Sequence, residues 1–174
     1  MNIIKPRKNN NLTKKEQLLE EIKEEELINK QIENVSLQDI EIYDINFEIL
    51  KMINVEITNS KLEKNTFTDI TFENCNFSNT SFENSIFVRC EFKNCKMTGC
   101  NFIEARLYNV SFNETNINYA NLSLTSLENV LFNNSGLRNS NFQENNLKNF
   151  FRTGLVRFGM GFIIISQARG MEFL

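Results

Sequence analysis

The chain has 174 residues with 22 acidic and 19 basic side chains, a net charge of −3, and it contains neither histidine nor tryptophan. A chain of this length is expected to form one domain. The missing histidine removes the commonest acid–base group of enzymes and a common zinc ligand, and the weakly acidic balance does not favour direct binding to nucleic acid.

The N-terminal region shows no secretory signal, because the basic stretch from Lys5 to Lys8 leads into polar residues and not into an apolar segment. The longest apolar run, around Phe162 to Ile165, is far too short to cross a bilayer. We therefore expect a cytoplasmic protein that does not insert into a membrane.

Residues 1–12 are mostly polar and are expected to be a disordered N-terminus. The next segment, residues 13–33, is predicted to carry a helix from about residue 14 to residue 29 that leads into the rest of the chain and caps it. Thr13 to Glu16 has the pattern of a capping box. The apolar face of this helix would be formed by Leu18, Leu19 and Ile22.

A five-residue repeat of apolar side chains occupies residues 34–149. Every fifth residue from Leu37 to Leu147 is apolar, at all 23 positions. Neither a helix, with about 3.6 residues per turn, nor a strand, in which alternate residues share a face, has this period. The core is expected to include Phe72, Phe77, Phe82, Phe87, Phe92, Phe102, Phe112, Phe132 and Phe142. Alternatively, the repeat begins already near Leu27, because Leu27 and Ile32 keep the spacing.

A second uncharged residue lies two positions before each large side chain, and it is mostly small from Ser60 onward. Asparagine is common two positions after the large side chain, where it tolerates the left-handed backbone of a turn. A turn every five residues closes a coil when about four repeats complete a circuit, and stacked coils then pair as strands at about 4.8 Å. The sequence therefore predicts an all-β, four-sided solenoid of about five to six coils, preceded by an N-terminal helical segment.

The repeats CNFSN, TSFEN, CEFKN, CNFIE, ANLSL and SNFQE resemble the pentapeptide repeat family, in which a central Leu or Phe follows a small residue two positions earlier. The resemblance covers about residues 35–149, two thirds of the chain. It implies a right-handed quadrilateral β-helix with four repeats per coil. Because no insertion breaks the spacing, no loop is expected to protrude.

The four cysteines, Cys75, Cys90, Cys95 and Cys100, all occupy the small inward positions. Cys75 and Cys95 would stack in neighbouring coils, so a disulfide or a metal pair is one interpretation. We favour buried thiols that act as small apolar groups, because the chain has no Cys-x-x-Cys pair and no histidine for zinc. No metal site and no cofactor are expected.

The C-terminal tail, residues 150–174, departs from the repeat, with Arg152 where an apolar residue is due and with four of the six glycines. Three interpretations stay open. The tail is an end cap, a segment through which two copies form a homodimer, or an ending that is foreign to the array or altered in frame. The dimer is implied by the resemblance, because some members of the family pair through apolar C-terminal segments.

An enzyme is not expected, because a regular convex rod filled with phenylalanine offers no pocket of convergent polar groups. The resemblance implies a rod that binds a protein. Quinolone-resistance members of the family resemble duplex DNA and are taken to occupy the DNA-binding groove of DNA gyrase or topoisomerase IV. In this chain the residues that would replace phosphates are Glu63, Glu83, Glu104 and Glu144. The modest net charge, the missing projecting loops and the unrecognisable dimer segment set this chain apart from those members.

The alternative function is an interaction scaffold for an unrelated protein partner. Val88 and Tyr108 are predicted to stack as an exposed apolar pair, which adds them to the candidate partner surface. A circuit of twenty residues also predicts stacked charge pairs: Asp69 with Arg89, Glu73 with Lys93, and Glu128 with Lys148.

Overall fold

The computed structural model describes residues 3–7, 12–13, 26–153, 157–158, 165–169 and 172–173, and these residues form short strands and turns. The strands are β1 (Leu12–Thr13), β2 (Glu26–Glu33), β3 (Ser36–Gln38), β4 (Glu41–Tyr43), β5 (Asn46–Ile53), β6 (Glu56–Thr58), β7 (Lys61–Glu63), β8 (Thr66–Thr68), β9 (Thr71–Glu73), β10 (Ile86–Val88), β11 (Glu91–Lys93), β12 (Arg106–Asn113), β13 (Ser126–Asn133), β14 (Gly136–Leu137), β15 (Asn145–Thr153), β16 (Arg157–Phe158), β17 (Ile165–Arg169) and β18 (Glu172–Phe173).

The chain winds into a four-sided solenoid in which residues twenty positions apart pair in parallel. Phe47 pairs with Phe67, and Phe67 with Phe87, through β5, β8 and β10. The described part from Leu27 to Leu147 therefore makes about six coils. Side 1 is centred on Leu27, Phe47, Phe67, Phe87, Leu107, Leu127 and Leu147; side 2 on Ile32, Met52, Phe72, Phe92, Phe112 and Phe132; side 3 on Leu37, Ile57, Phe77, Met97, Ile117 and Leu137; side 4 on Ile42, Leu62, Phe82, Phe102, Leu122 and Phe142.

A left-handed residue ends every repeat. From Asn29 to Asn149, the residue two positions after each central side chain has a φ between 49° and 60°, apart from Gly99 at 72°. Asparagine holds thirteen of these positions, because its short polar side chain tolerates this conformation better than other L residues. The asparagine side chains also bond along the stack, as Asn94 Nδ2 donates to Asn74 Oδ1 at 2.8 Å. The turn residue thus closes one coil and joins it to the next.

The interior is a shared column of aromatic rings. All nine predicted core phenylalanines are at most 2% exposed. Along side 2, Phe92 stacks between Phe72 at 4.5 Å and Phe112 at 4.8 Å. Across the corner, Phe77 meets Phe72 edge to face, with ring centroids 5.4 Å apart. Rings from different sides therefore pack against one another in one core, and the predicted five-residue alternation is confirmed.

The small inward residues tie neighbouring coils together. Ser85 Oγ donates to the carbonyl oxygen of Leu62 at 2.9 Å, and Ser140 Oγ to that of Ile117 at 2.7 Å. Thr125 Oγ1 makes the same bond to Phe102 O at 3.0 Å. A buried hydroxyl costs free energy unless it is hydrogen-bonded, and these carbonyls supply the partner. The position therefore accepts Ser and Thr as well as apolar residues.

The predicted N-terminal helix is wrong. Residues 26–29, at its expected end, belong to β2, whose Leu27 and Ile32 are 1% and 0% exposed. Thr13, the predicted helix cap, lies in β1 and pairs in parallel with Ile32. None of the described residues is helical, so none belongs to a helix that could span a membrane; residues 14–25 lie outside them. The alternative start of the repeat near Leu27 is confirmed, because burial in the first coil outweighs the local helical pattern.

The described parts of the tail continue the stacking, but the spacing between paired residues varies between 20 and 21. Phe158 pairs with Leu137 and Ala168 with Leu147, each 21 positions later along the chain, whereas Ile165 pairs with Asn145 at the regular spacing. Arg152, which breaks the apolar repeat, still pairs with Phe132 in the regular register. The register therefore first changes between residues 152 and 157, and it shifts again within the pairing of β15 with β17, at Asn145 and Asn146. Whether the tail serves as a cap, a dimer segment or a foreign ending stays a prediction.

Candidate interaction surfaces

The four carboxylates predicted to replace phosphates all lie on side 4. Glu63 and Glu83 occupy the position directly after the central residue, and Glu104 and Glu144 occupy the left-handed corner. Parallel bridges of Asn121 with residues 101 and 141 keep this register along the side. The structure therefore brings the four residues together, because each differs from the next by about one or two whole coils.

The negative charge of the rod is concentrated on this side. Side 4 carries six carboxylates (Glu41, Asp44, Glu63, Glu83, Glu104 and Glu144) and two lysines (Lys61 and Lys64), a net charge of −4. Between residues 26 and 149, sides 1 and 2 each have four acidic and three basic residues, and side 3 has two of each. The other three sides are therefore close to neutral.

The two ends of side 4 differ in how their carboxylates are paired. In the first two coils, Lys61 Nζ donates to Glu41 Oε1 at 2.8 Å, and this hydrogen bond lowers the pKa of Glu41. Farther along, Glu83 accepts a hydrogen bond from the amide of Asn101 at 3.2 Å, while Glu104 and Glu144 are exposed. The surface that can meet an external cation therefore extends from the third coil toward the C-terminus.

The predicted apolar pair lies on a different side. Val88 and Tyr108 are aligned neighbours in β10 and β12 on side 1, so their predicted stacking is confirmed. Tyr108 is 42% exposed and Val88 is half-buried. The pair is separated from the carboxylates by the corner at which side 4 turns into side 1. The candidate partner residues thus form two surfaces and not one.

A buried carboxylate cluster lies at the opposite edge of side 1. The side chain of Asp69 is fully buried. Arg89 donates two hydrogen bonds to it, from Nε to Oδ1 at 2.7 Å and from Nη2 to Oδ2 at 2.8 Å. Arg7 Nε donates to Asp69 Oδ2 at 2.6 Å, and Arg7 Nη2 donates to Glu48 at 2.6 Å. Burial alone would raise the pKa of Asp69, but the bonds from Arg89 and Arg7 outweigh it and hold that pKa below its ordinary value.

The contact of Arg7 has no counterpart among the predicted pairs. Arg7 and Asp69 are 62 positions apart and share no repeat register, so no sequence pattern links them. The predicted pairs Asp69–Arg89 and Glu128–Lys148 form, the second at 2.5 Å. Glu73 and Lys93 are stacked neighbours, as predicted, but no ion pair joins them, because Lys51 approaches Glu73 at 3.7 Å. Lys93, its stacked neighbour, turns to Glu91 at 3.1 Å instead.

The cysteines are buried, as predicted, and their thiols are free. Cys100 Sγ donates to the carbonyl oxygen of Phe77 at 2.9 Å, in the same way as the serines and threonines of this column. Burial raises the pKa of Cys90 and of Cys100 to about 12. A hydrogen bond with Cys75 raises the pKa of Cys95 as well. Cys90, Cys95 and Cys100 are therefore unreactive small groups of the interior, whereas the hydrogen bond with Cys95 lowers the pKa of Cys75.

An open cavity of about 380 Å³ separates the N-terminal segment from side 2. Its charged lining residues are Lys5, Arg7, Lys51, Glu73, Glu91 and Lys93. Among them, Lys51 and Lys93 contact Glu73 and Glu91, and Arg7 binds Asp69. Three of the four cationic lining residues therefore have an acidic partner, two of them within the cavity and Arg7 outside its lining.

Comparison with known proteins supports this architecture. The sequence profile described as "Pentapeptide repeat region" matches residues 85–152, and the profile "Pentapeptide repeats (8 copies)" matches residues 66–102. No curated protein sequence matches the chain.

The solved structures that are similar to the chain include the following three. HetL, a pentapeptide repeat protein involved in heterocyst differentiation regulation in the cyanobacterium Nostoc, matches with a TM-score of 0.58 and 10% identity, over 78% of this chain and 71% of that one. QnrB1, a plasmid-mediated fluoroquinolone resistance protein, matches in a trypsin-treated form with a TM-score of 0.42 and 18% identity, over 85% and 82%. Rfr23 from Cyanothece matches with a TM-score of 0.38 and 17% identity, over 78% and 92%.

The likeness to HetL supports the solenoid fold alone. The two profiles together span residues 66–152, and the left-handed turn at every fifth residue extends the same repeat to the N-terminal side of that span. On these grounds the chain belongs to the pentapeptide repeat family.

Proposed function

We propose that this protein is a non-catalytic binding rod whose side 4 occupies the basic DNA-binding groove of a type II topoisomerase, DNA gyrase or topoisomerase IV. The observation that carries the proposal is the concentration of negative charge on one flat side. A basic groove that receives DNA is complementary to such a side. The same occupation would compete with the drug-trapped DNA complex and so protect the enzyme from a fluoroquinolone.

The spacing of the carboxylates supports this assignment. Side 4 carries six carboxylates along six coils, an average of one per about 4.8 Å of rod. One strand of duplex DNA carries a phosphate every 3.4 Å or so. The side therefore has somewhat less charge than one DNA strand. Over the coils that contain Glu83, Glu104 and Glu144 its charge is purely negative, with one uncharged coil between Glu104 and Glu144.

The absence of an enzymatic role is part of the proposal. Catalysis requires several polar groups aimed at one reacting atom in a concave site. On the described part of the rod, Glu83, Glu104 and Glu144 lie on a flat side, in different coils, and the inward positions hold the aromatic core. Such an arrangement suits recognition by shape and charge.

The experiment is a supercoiling assay with purified DNA gyrase, with and without a fluoroquinolone. The wild-type protein is expected to inhibit supercoiling, or to restore activity in the presence of the drug, at micromolar concentration. The double variant Glu104→Lys with Glu144→Lys is expected to lose this effect. Lysine is accepted at the left-handed corner, because Lys64 already has a φ of 59° there.

The matched control is Glu56→Lys with Glu114→Lys. It makes the same change in net charge, but Glu56 lies on side 3 and the exposed Glu114 lies at a left-handed corner of side 2. The control is expected to behave as the wild type. Equal loss in both double variants would mean that only net charge matters and would count against a role for side 4. A wild-type protein without effect on gyrase in either assay would refute the proposal.

The exposed pair on side 1 favours a second candidate function, an interaction scaffold with an unrelated protein partner. Tyr108 is 42% exposed above Val88 in a strand where a polar residue would serve the fold equally well. Thr68 occupies the same column two coils away. A partner that binds through side 1 would be lost in Tyr108→Thr and kept in the Glu104→Lys, Glu144→Lys variant, which separates the two functions.

A further inference from the structure

Two large apolar side chains stand at the two edges of side 4 in the fifth coil. Tyr119 is 63% exposed at the corner where side 4 begins, and Leu124 is 48% exposed at the corner where it ends. Both backbones are fixed by the ladder, because Tyr119 N donates to Arg138 O at 2.8 Å and Leu124 N donates to Gln143 O at 2.9 Å. The two positions are therefore built into the rod.

The fold itself does not account for these two residues. Tyr119 has a φ of 60° and Leu124 a φ of 59°, a conformation that disfavours L residues without a short polar side chain. Asparagine holds most other corners of this kind. An exposed apolar group also gains little from folding, because it stays in water. The backbone conformation of both residues thus costs the folded state free energy, and their exposed side chains add little packing energy in return. This combination points to a role in binding and not in folding.

The surface between them is shallow and small. In the repeat that joins the two corners, Leu122 points into the core, and Asn121 and Ser123 are the outward residues. Ile103, half-buried in the preceding coil, adds apolar surface beside Ser123. The result is a polar floor with one exposed apolar residue as a wall on each edge.

The charges beside this surface specify the partner's chemistry. Leu124 lies in one column between Glu104 and Glu144, its aligned neighbours in the adjoining coils. Strand stacking places such neighbours at about 4.8 Å along the rod. A partner surface that covers Leu124 would therefore also lie against both carboxylates. Cationic groups at those two places would complement their charge. A purely basic surface would leave the two apolar walls in water.

We infer that the partner contact on side 4 has an apolar centre: a segment of the topoisomerase groove places a large apolar side chain between Tyr119 and Leu124 and sets Lys or Arg side chains against Glu104 and Glu144. This inference rests on the proposed function. Protein interfaces concentrate their affinity in such central apolar anchors, surrounded by polar contacts. The side is then a protein-recognition surface with an acidic rim, and not only a copy of DNA charge.

The test compares binding of purified gyrase to the wild type and to the double variant Tyr119→Asn with Leu124→Asn, by titration at about 50 mM and about 500 mM KCl. Asparagine suits a left-handed φ, so thermal unfolding of the variant should begin no lower than that of the wild type. We expect its affinity to fall by at least about tenfold at both salt concentrations, because apolar contacts are not screened. In Glu104→Lys with Glu144→Lys, the loss should be larger at low salt.

The control is Tyr108→Thr, which removes an exposed aromatic ring from side 1 and is expected to bind as the wild type. If the asparagine double variant binds like the wild type while the lysine double variant does not, the apolar centre is refuted and the proposed function stands. If wild-type protein does not bind gyrase at all, the proposed function falls and the inference falls with it. A loss in Tyr108→Thr equal to that of the asparagine variant would also overturn it, because the apolar contact would not be specific to side 4.

Discussion

Replacing the buried carboxylate of Asp69 tests how strongly charge holds the side of the rod together. Asp69→Asn keeps the size of the side chain but leaves Arg89 opposite a neutral amide. The Asp69 side chain is fully buried, and Arg89 holds it through two short bonds. Breaking a fully buried ion pair costs about 3–5 kcal/mol. Because the Arg89 side chain is 30% exposed, we expect a lower cost here, about 2–3 kcal/mol.

The assay is urea unfolding followed by far-UV circular dichroism at neutral pH. The control is Glu128→Gln, which removes an ion pair with Lys148 at 2.5 Å, in which the two side chains are 35% and 57% exposed. Exposed pairs of this kind contribute less than about 1 kcal/mol. Equal costs for the two variants would refute the reasoning that burial makes the Asp69 cluster strong.

The pH dependence of the wild type and Asp69→Asn gives an independent check. The pKa of Asp69 is lower in the folded chain than its ordinary value, so the folded state binds the proton less tightly than the unfolded state. Its contribution is therefore fully present above the ordinary pKa of about 3.9 and is lost as the pH falls through that value to the lower folded pKa. Asp69→Asn should lack this acid-induced part of the loss.

Three further predictions concern the interior and the turns. Phe92→Ala removes a fully buried ring that stacks on both neighbours and should cost about 3–5 kcal/mol in urea unfolding, whereas a loss below about 1 kcal/mol would contradict the packed core. Cys90 and Cys100, with pKa values of about 12, should react with a thiol reagent at about pH 8 only as fast as the protein unfolds; rapid labelling in the folded state would contradict their burial. Gly99→Ala places a Cβ 2.5 Å from Asn79 Oδ1 at a φ of 72° and should lower stability by about 1–2 kcal/mol, and a thermal midpoint at or above that of the wild type would count against it.

The fold of the repeat region was predictable because one rule recurs at 23 positions. Each large side chain, such as Phe92, independently indicates that its position in the repeat points inward. A mistaken assignment at one repeat would therefore not change the predicted fold. The N-terminus offered no such redundancy. One capping-box pattern at Thr13 indicated a helix, and pairing with Ile32, nineteen positions later, decided for a strand. In a segment that is not part of a repeat, one local sequence pattern is weak evidence, because strand pairing with a distant segment can override it.

The candidate surface was only partly predictable. The sequence identified Glu83, Glu104 and the other carboxylates, but their common side becomes visible only when the circuit is fixed at twenty residues. Tyr108 proved to lie on a different side. The contact of Arg7 with Asp69 had no signal, because it joins an irregular segment to a regular one across 62 positions. Contacts set by the period can be foreseen, and contacts between the ends and the rod cannot.

Because one circuit takes twenty residues, each of the four outer surfaces is formed by residues that are spread along the whole repeat region of the sequence. Residues that are adjacent along the chain soon face different directions, whereas one surface gathers its members from every winding. A few substitutions placed twenty residues apart would therefore alter one surface. The other three surfaces and the interior would stay unchanged. A solenoid of this kind can therefore acquire a new binding partner through surface substitutions while it keeps the same fold.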